Sequence, residues 1–349
     1  MATLSELGGW KAVLGSLTAG ADLSSQQTRA ALGAILDGEA TDAQIAAFIV
    51  ALRIKGETVE EVSGMVDAML EAAEPIELDV DTVDIVGTGG SRTLGGRAFN
   101  VSTMASFVVA GAGAPVCKHG NRKASSASGS ADLLEMLGVA VDLHGPGVAS
   151  CVEEAGIGFC FARSFHPAMR HVGPVRSELA VPTVFNFLGP LSHPARVKRQ
   201  VIGVSDPAMA PTVIGVLRER GAVRAMVVHG HDGLDELTIT TISTVHELSG
   251  GEVTSFEVDP AAYGIAKATV EEIAVGDADA NANATREVLG GGTGPLRDMV
   301  VLNAAAGLVV ADVAADLGDG IDRATAAIDC GAAAGALERL VEVSNRVAA

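Results

Sequence analysis

The feature that most constrains the fold is a change in the spacing of apolar residues near residue 80. Before it, three S/T-x-x-E/Q sequences begin 17 residues apart, each in front of a run with helical apolar spacing. After it, short apolar runs typical of strands alternate with longer runs typical of helices. Helix bundles and sheets bury their apolar residues in different layers, so the sequence predicts a small helical part followed by a larger α/β part.

The helical part is marked by the ends of its helices. Capping boxes, in which two side chains satisfy free backbone N–H groups at a helix start, are formed by Ser24 with Gln27, Thr41 with Gln44 and Thr58 with Glu61. Gly38 and Gly56 stand where two of these helices should end. We predict a helical domain over residues 1–75. Four prolines interrupt the pattern near residues 163–190, and we expect that segment to join the helical domain.

The α/β part shows strands and helices in alternation. We predict strands over residues 83–86, 115–118, 139–143, 200–204 and 225–229, and helices over residues 103–110, 130–137 and 208–220. Such alternation is typical of a mostly parallel central sheet with helices on both faces. We expect residues 76–162 and 191–349 to form this α/β domain.

Composition excludes several classes of function. A net charge of −19, with one Trp and one Tyr, disfavours nucleic-acid and anionic membrane partners. We find no targeting sequence and no apolar run of the roughly 18 to 20 residues that a membrane span needs. We therefore expect a cytoplasmic protein.

Charge is unevenly distributed along this acidic chain. No acid occurs between Asp84 and Asp132, although Arg92, Arg97, Lys118, Arg122 and Lys123 lie there. A second basic island, residues 155–205, holds six arginines and lysines and the single acid Glu178. Burial would also remove carboxylates, but it would remove the basic residues as well. The two islands favour anionic ligands.

Two glycine- and hydroxyl-rich segments follow the first predicted strand. Residues 87–90 (G-T-G-G) stand where backbone N–H groups can cradle a phosphate, although a plain tight turn has the same composition. Residues 100–103 (N-V-S-T) open the next helix, where they fit either an anion site or a simple N-cap.

Three further segments carry chemistry. Residues 118–130 combine three basic residues with four serines, which favours polyanion binding over a solvated loop. The adjacent Asp235 and Glu236 fit a magnesium ion shared with a phosphate, or an ordinary acidic turn. Arg176 fits a clamp for a carboxylate, or a surface or ion-paired arginine.

Taken together, these segments resemble the anthranilate phosphoribosyltransferase family over nearly the whole chain. The matching phrases, in the family's order, are D-I-V-G-T-G-G (84–90), N-V-S-T (100–103), K-H-G-N-R (118–122), S-G-S-A-D (128–132), H-P-A-M-R (166–170), F-N-F-L-G-P-L (185–191), D-G-L-D-E-L (232–237) and V-L-N-A-A-A (301–306). Pyrimidine nucleoside phosphorylases are similar in fold but do not share the K-H-G-N-R or D-G-L-D-E-L wording.

The resemblance implies a nucleoside phosphorylase/phosphoribosyltransferase-like fold, a homodimer built through the helical domains, and transfer of a phosphoribosyl group from phosphoribosyl diphosphate to anthranilate in tryptophan biosynthesis. It implies two Mg²⁺ ions held by Ser102, Asp235 and Glu236. Phosphoribosyl diphosphate would be bound by Gly87, Gly90, Ser91, Asn100, Ser102, Thr103, Lys118, Ser126 and Ser130. Anthranilate would be bound by Gly87, His119, Asn121 and Arg176. No acid or base is assigned, because the main task is to stabilise the leaving diphosphate with Lys118 and magnesium.

One segment departs from the family's pattern. Ser91 and Ala98 replace a usual aspartate and threonine, and the loop between them is about three residues longer and carries Arg92 and Arg97. Either the arginines compensate in phosphate binding, or the acceptor or activity has changed. The alternatives are a related transferase for another aromatic acid and a non-catalytic relative that binds nucleic acid.

Overall fold

The chain begins with a helical bundle. The computed structural model describes residues 2–123 and 127–349. The bundle helices are α1 (Gly9–Thr18), α2 (Ser25–Leu36), α3 (Asp42–Lys55) and α4 (Val59–Glu71). In each predicted capping box the hydroxyl accepts from the backbone N–H three residues later, and the Gln or Glu side chain accepts from the cap's own N–H. The predicted starts of α2, α3 and α4 are confirmed.

A seven-stranded sheet forms the centre of the larger part. Its strands are β1 (Val83–Gly87), β2 (Val116–Gly120), β3 (Ile157–Phe161), β4 (Arg199–Gly203), β5 (Arg224–Gly230), β6 (Ser243–Ser249) and β7 (Glu252–Val258). The order is β3-β2-β1-β4-β5-β6-β7. Pairs among β1–β5 are parallel, whereas β6 and β7 are antiparallel. The predicted fold class, a helical part with a mostly parallel α/β part, is confirmed.

Twelve further helices connect and cover the strands in the described part of the chain. They are α5 (Val101–Gly111), α6 (Ser130–Met136), α7 (Gly145–Ala155), α8 (Ala162–Phe165), α9 (Gly173–Leu179), α10 (Phe185–Leu191), α11 (Ala210–Glu219), α12 (Val270–Ile273), α13 (Ala278–Leu289), α14 (Pro295–Val310), α15 (Leu317–Asp329) and α16 (Ala332–Ala348). Within the described ranges, none of the helices is long and apolar enough to cross a membrane.

The apolar side chains gather into two cores. One contains α5, α14 and α16 with residues of β1–β3. The other joins the bundle helices to α9, α10 and α11, through residues such as Val172, Val175 and Phe185. The proline-rich segment after β3 therefore packs with the bundle as well as with the sheet's neighbour α11.

The strand predicted over residues 139–143 is wrong. Val139, Val141 and Leu143 are buried in alternation, which is the pattern of a half-buried strand. The backbone does not join the sheet, because the Val139 N–H donates to the Leu134 carbonyl at 2.9 Å and the Ala140 N–H to Ser344 Oγ at 3.1 Å. The alternation instead packs this extended segment against the core beside α16.

Candidate active site at the carboxyl edge of the sheet

The carboxyl ends of β1 and β4 are neighbouring glycines that make room for Asp235. Gly87 is in register with Gly203. A Cβ on Gly87 would lie 2.2 Å from Asp235 Oδ2, and one on Gly203 would lie 1.6 Å from the Asp235 carbonyl oxygen. The Gly89 N–H donates to Asp235 Oδ2 at 2.7 Å. Asp235 reaches the strand ends because these positions lack side chains, a role of Gly203 that sequence analysis missed.

Asp235 and Glu236 form a pair of acids that makes no ion pair with a basic residue in the described part of the chain. Burial raises the pKa of the Asp235 carboxyl. Burial, followed by the negative charges of Asp235 and Asp232, raises the pKa of Glu236 well above its usual value. The Glu236 carboxyl makes no hydrogen bond or ion pair with any other described residue. Adjacent buried carboxylates of this kind are stable when a cation joins them.

The donor set fits magnesium completed by substrate oxygens. No cluster of three or more His, Cys, Asp or Glu residues suited to a metal occurs in residues 2–123 and 127–349. Mg²⁺ binds through one or two carboxylates plus phosphate and water oxygens, so Asp235, Glu236 and the Ser102 hydroxyl suffice on the protein side.

The acidic loop after β5 is held rigidly from two sides. Asn303 of α14 accepts from the Leu237 N–H at 3.0 Å and donates to the Leu237 carbonyl at 2.8 Å. Asp232 accepts from the Thr238 hydroxyl at 2.6 Å and from the Leu234 N–H at 3.0 Å. These contacts explain the V-L-N and D-G-L phrases, since they fix where the acid pair lies.

Lys118 places a buried ammonium group beside the acids. Its side chain is 2% exposed. Nζ donates to the Ile85 carbonyl at 2.6 Å and to Ser102 Oγ at 3.1 Å. Burial lowers the pKa of Lys118 to about 8, against the opposing influence of Asp84 and Glu236. The ammonium thus contacts only neutral oxygens, which leaves its charge available to an anion.

The start of α5 offers hydroxyls beside this lysine. The Asn100 side chain does not cap the helix; its Oδ1 accepts from Ser128 Oγ at 2.9 Å and so ties α5 to the loop after β2. Thr103 is 1% exposed, and its hydroxyl has no hydrogen-bond partner within the described residues. Ser102 and Thr103 therefore present oxygens at a helix N-terminus, where the dipole favours anions.

The loop after β2 is partly committed to its own structure. Ser130 Oγ donates to the Asn121 carbonyl at 3.2 Å, and the Asn121 residue is exposed. Arg122 pairs with Glu135, at 2.5 and 2.6 Å. The predicted site residue Ser126 lies outside the described residues. The basic character of this loop thus overstates the charge available to a ligand.

A buried histidine cluster lies behind the end of β2. The His119 ring centre lies 5.6 Å from that of His166 and 5.5 Å from that of His193. Burial first, then the neighbouring His193, lowers the pKa of His119 well below its usual value, and its Nε2 has no partner within the described part of the chain. The buried Asp84 accepts from the His119 N–H at 3.0 Å. No role was predicted from the sequence for Asp84, His166 or His193.

The remaining predicted residues have distinct settings. Arg176 lies over the Phe185 ring, 5.4 Å from its centre, and burial lowers its pKa. It has no ion pair among the described residues, so the ion-paired interpretation is wrong and a carboxylate could take that place. Gly90 has φ +88°, and Ser91 Oγ accepts from the Thr93 N–H at 3.3 Å.

The structure brings some of these residues into contact and leaves others apart. Hydrogen bonds link Lys118 to Ser102, and the glycine loop to Asp235. Asn121 and Arg176 are joined to that cluster by no hydrogen bond or ion pair of the described residues.

Comparisons with known proteins agree with this geometry. Residues 79–334 match the model "Glycosyl transferase family, a/b domain", and residues 11–73 match "Glycosyl transferase family, helical bundle domain". The chain is 53% identical over 342 residues to anthranilate phosphoribosyltransferase of Arthrobacter sp. (strain FB24), covering 96% of each chain.

Solved structures give the same result. Anthranilate phosphoribosyltransferase from Thermus thermophilus superimposes with a TM-score of 0.89 at 40% identity, covering 95% of this chain and 99% of that one. The enzyme from Saccharomyces cerevisiae, in complex with PRPP and Mg, gives a TM-score of 0.87 at 28% identity, with 97% and 98% coverage. The same yeast enzyme in complex with 4-fluoroanthranilate gives 0.86 at 27% identity, with the same coverage.

Proposed function

The chain belongs to the anthranilate phosphoribosyltransferase family, and from that premise we propose how its residues carry out the family's reaction. It transfers the phosphoribosyl group of phosphoribosyl diphosphate to the amine of anthranilate, giving N-(5-phosphoribosyl)anthranilate and diphosphate in tryptophan biosynthesis. The proposal rests on one observation: at one edge of the sheet, the buried Lys118 ammonium lies beside two acids that form no ion pair with described residues.

The chemical task is to accept a departing diphosphate. The amine lone pair forms the bond to C1 of the ribose, the C1–oxygen bond breaks with its electrons going to diphosphate, and the nitrogen releases a proton to solvent. Lys118, the Gly90 N–H and the N–H groups at the start of α5 meet the negative charge that develops, because the Thr88 and Gly89 N–H groups already donate within the protein. Magnesium, when bound, neutralises further charge on the diphosphate.

The acceptor, anthranilate, has to be oriented in the site but does not have to be activated by a base. An aromatic amine is unprotonated at neutral pH, so no base is required to prepare it. We propose that Arg176 binds the anthranilate carboxylate as a two-pronged donor, with Asn121, His119 and Gly87 around the ring. The buried, neutral histidine cluster around His119 offers no cation to the acceptor's carboxylate, which favours the aromatic ring rather than the carboxylate on that side.

Several finer statements belong to the same proposal. Activity depends on Mg²⁺, with two ions per subunit held by Ser102, Asp235 and Glu236. The protein acts in the cytoplasm as a homodimer built through its helical domains. The helical domain comprises residues 1–75 with about 163–190, which the shared core of α1–α4, α9 and α10 supports. Residues 76–162 and 191–349 form the domain that binds phosphoribosyl diphosphate.

The direct test is turnover. Purified protein with phosphoribosyl diphosphate and Mg²⁺ should consume anthranilate, which is followed by loss of its fluorescence, and chelation of the metal should stop the reaction. A panel of other aromatic acids serves as the comparison. Turnover of another acid and not of anthranilate would reassign the acceptor, and DNA binding without any turnover would refute the enzyme function.

The acceptor half is tested by Arg176→Ala. Loss of a bidentate charged contact should raise the KM for anthranilate about 30-fold, while the KM for phosphoribosyl diphosphate changes less than about threefold. Arg170→Ala, an exposed arginine that belongs to the same basic island, is the control. Equal losses for both substrates would remove Arg176 from the acceptor site.

A further inference from the structure

The loop of residues 91–97 lies between the proposed metal site and the loop after β2. Near one end, the Thr93 hydroxyl donates to the Asp232 carbonyl at 2.5 Å, three residues before Asp235. At the other end, the Gly96 carbonyl accepts from the Ala127 N–H at 3.0 Å. Beyond it, Ala98 and Gly276 pair as an isolated bridge. The loop therefore spans the carboxyl edge beside the glycine loop.

The centre of this loop packs against the protein, whereas Arg92 and Arg97 on either side of the centre are exposed. Leu94 packs against the α/β core. Two turns, from the Gly95 N–H to the Arg92 carbonyl at 3.0 Å and from the Arg97 N–H to the Leu94 carbonyl at 3.1 Å, fix the backbone around it. Gly95 and Gly96 have φ values of +60° and +86°, a conformation that other residues rarely adopt. The backbone of Arg92 and of Arg97 is thus held on either side of a partly buried leucine.

The two arginines are exposed and carry unneutralised charge. Neither Arg92 nor Arg97 forms an ion pair with any described residue, in a chain with 43 acids. Arg122, on the neighbouring loop, is by contrast neutralised by Glu135 and Asp132. Of the three arginines on these two loops, Arg122 is thus already paired, and Arg92 and Arg97 are not.

Charge balance indicates what the two arginines bind. The diphosphate group carries about three negative charges near neutral pH and gains about one more when its bond to C1 breaks. Lys118 offers one positive charge to it, whereas Asp235 and Glu236 offset part of the charge of any metal ion that they hold. Arg92 and Arg97 add two positive charges from the neighbouring loop, where the charge of the departing group grows.

We infer that residues 91–97 form a cationic cap in which Arg92 and Arg97 bind the diphosphate group of the substrate, a proposal that rests on the function proposed above. Arg92, near the glycine loop and the acid pair, faces the metal-bound side of the diphosphate. Arg97, near Ala127, faces the side cradled by the loop after β2. Ser91 contributes no charge, because its side chain is a neutral hydroxyl. That hydroxyl accepts a hydrogen bond from the Thr93 N–H.

The experiment measures binding of inorganic pyrophosphate with Mg²⁺ by calorimetry, and steady-state turnover, in Arg92→Ala, Arg97→Ala and the double variant. Each single change should weaken pyrophosphate binding about tenfold and the double change about 100-fold, because a hydrogen bond to a charged group is lost. The KM for anthranilate should stay within about twofold. The double variant Arg92→Lys with Arg97→Lys should bind pyrophosphate more tightly than the double Ala variant but less tightly than the wild type. Lysine restores the positive charge but lacks the paired N–H donors of the guanidinium group.

The matched control is Arg218→Ala, which removes the same charge from an exposed position near the end of α11, at the opposite edge of the sheet. It should bind pyrophosphate as the wild type does. The cap is refuted if the double variant binds within about twofold of the wild type, or if Arg218→Ala loses as much. A wild type that binds no pyrophosphate and shows no turnover overturns the proposed function and the cap together, whereas normal binding in the loop variants overturns the cap alone.

Discussion

At the amino edge of the sheet, Arg199 of β4 and Arg224 of β5 share Asp312, and Arg224 also pairs with Glu247 at 2.8 Å. At the carboxyl edge of the same sheet, Lys118 and the acids Asp235 and Glu236 take part in no ion pair with described residues. The first set of charges is neutralised by the fold, and the second is left for ligands. Charges that stabilise a protein and charges that serve a reaction are thus distinguished by their partners rather than by residue type.

The largest effect is expected when the acid pair at the carboxyl edge is neutralised. Asp235→Asn with Glu236→Gln should lower kcat/KM for phosphoribosyl diphosphate more than about 1,000-fold, since several kcal/mol of electrostatic stabilisation is lost. The ligand-free variant should nevertheless melt about 2 °C or more above the wild type. Activity assays and thermal denaturation at pH 7.5 measure the two effects.

The sign of the stability change follows from the raised pKa of both carboxyls. A carboxyl group whose pKa is higher in the folded than in the unfolded protein stabilises the fold most at a pH below its unfolded pKa. That contribution to stability is lost as the pH rises through the pKa of the folded protein. At pH 7.5 the wild type is destabilised by two buried, charged carboxylates. The uncharged Asn and Gln side chains of the double variant remove this destabilisation. Glu247→Gln, the matched change at the amino edge, should lower Tm and leave turnover intact. A loss of stability in the double variant would contradict the account.

A smaller effect concerns the lysine at the same edge. Because burial lowers the pKa of Lys118 to about 8, its cation is lost as the pH rises through that value. The kcat/KM for phosphoribosyl diphosphate, which reports the free enzyme, should fall about tenfold per unit above that pH. In Lys118→Arg the decline should move to higher pH, although the absolute rate drops. A wild-type profile that stays flat to about pH 9.5 would exclude this role.

The smallest effect is expected at the amino edge. Arg224→Met removes a partly buried arginine from its two acids and should lower the free energy of unfolding by about 1 kcal/mol, or Tm by about 2 to 4 °C. Turnover below the melting range should stay within about twofold of the wild type. A large loss of activity without a change in Tm would contradict the conclusion that charges at the amino edge stabilise the fold and charges at the carboxyl edge serve the reaction.

Sequence reasoning succeeded where function or structure depends on local pattern. The helix starts at Ser24, Thr41 and Thr58 follow from side chains three residues apart. Lys118 and Asp235 could be placed near one another because one lies in the carboxyl half of β2 and the other follows β5, and the carboxyl ends of parallel strands share one edge.

It failed where the decisive contact is distant in sequence. The alternation of Val139, Val141 and Leu143 indicates a buried face but not which element covers it, and the partner Ser344 is about 200 residues away. The need for glycine at position 203 arises from the carbonyl of Asp235, which no local pattern reveals. The hairpin of β6 and β7 did carry a usable sign, since Gly250-Gly251 separates two alternating runs.

Calorimetry with phosphoribosyl diphosphate measures whether the charges at the carboxyl edge, which form no ion pair among the described residues, bind a sugar diphosphate together with magnesium. The account predicts saturable heat of binding in the wild type with Mg²⁺, and binding at least about 100-fold weaker in Asp235→Asn with Glu236→Gln. Equal affinity in the two proteins, or no heat in the wild type at all, would contradict it.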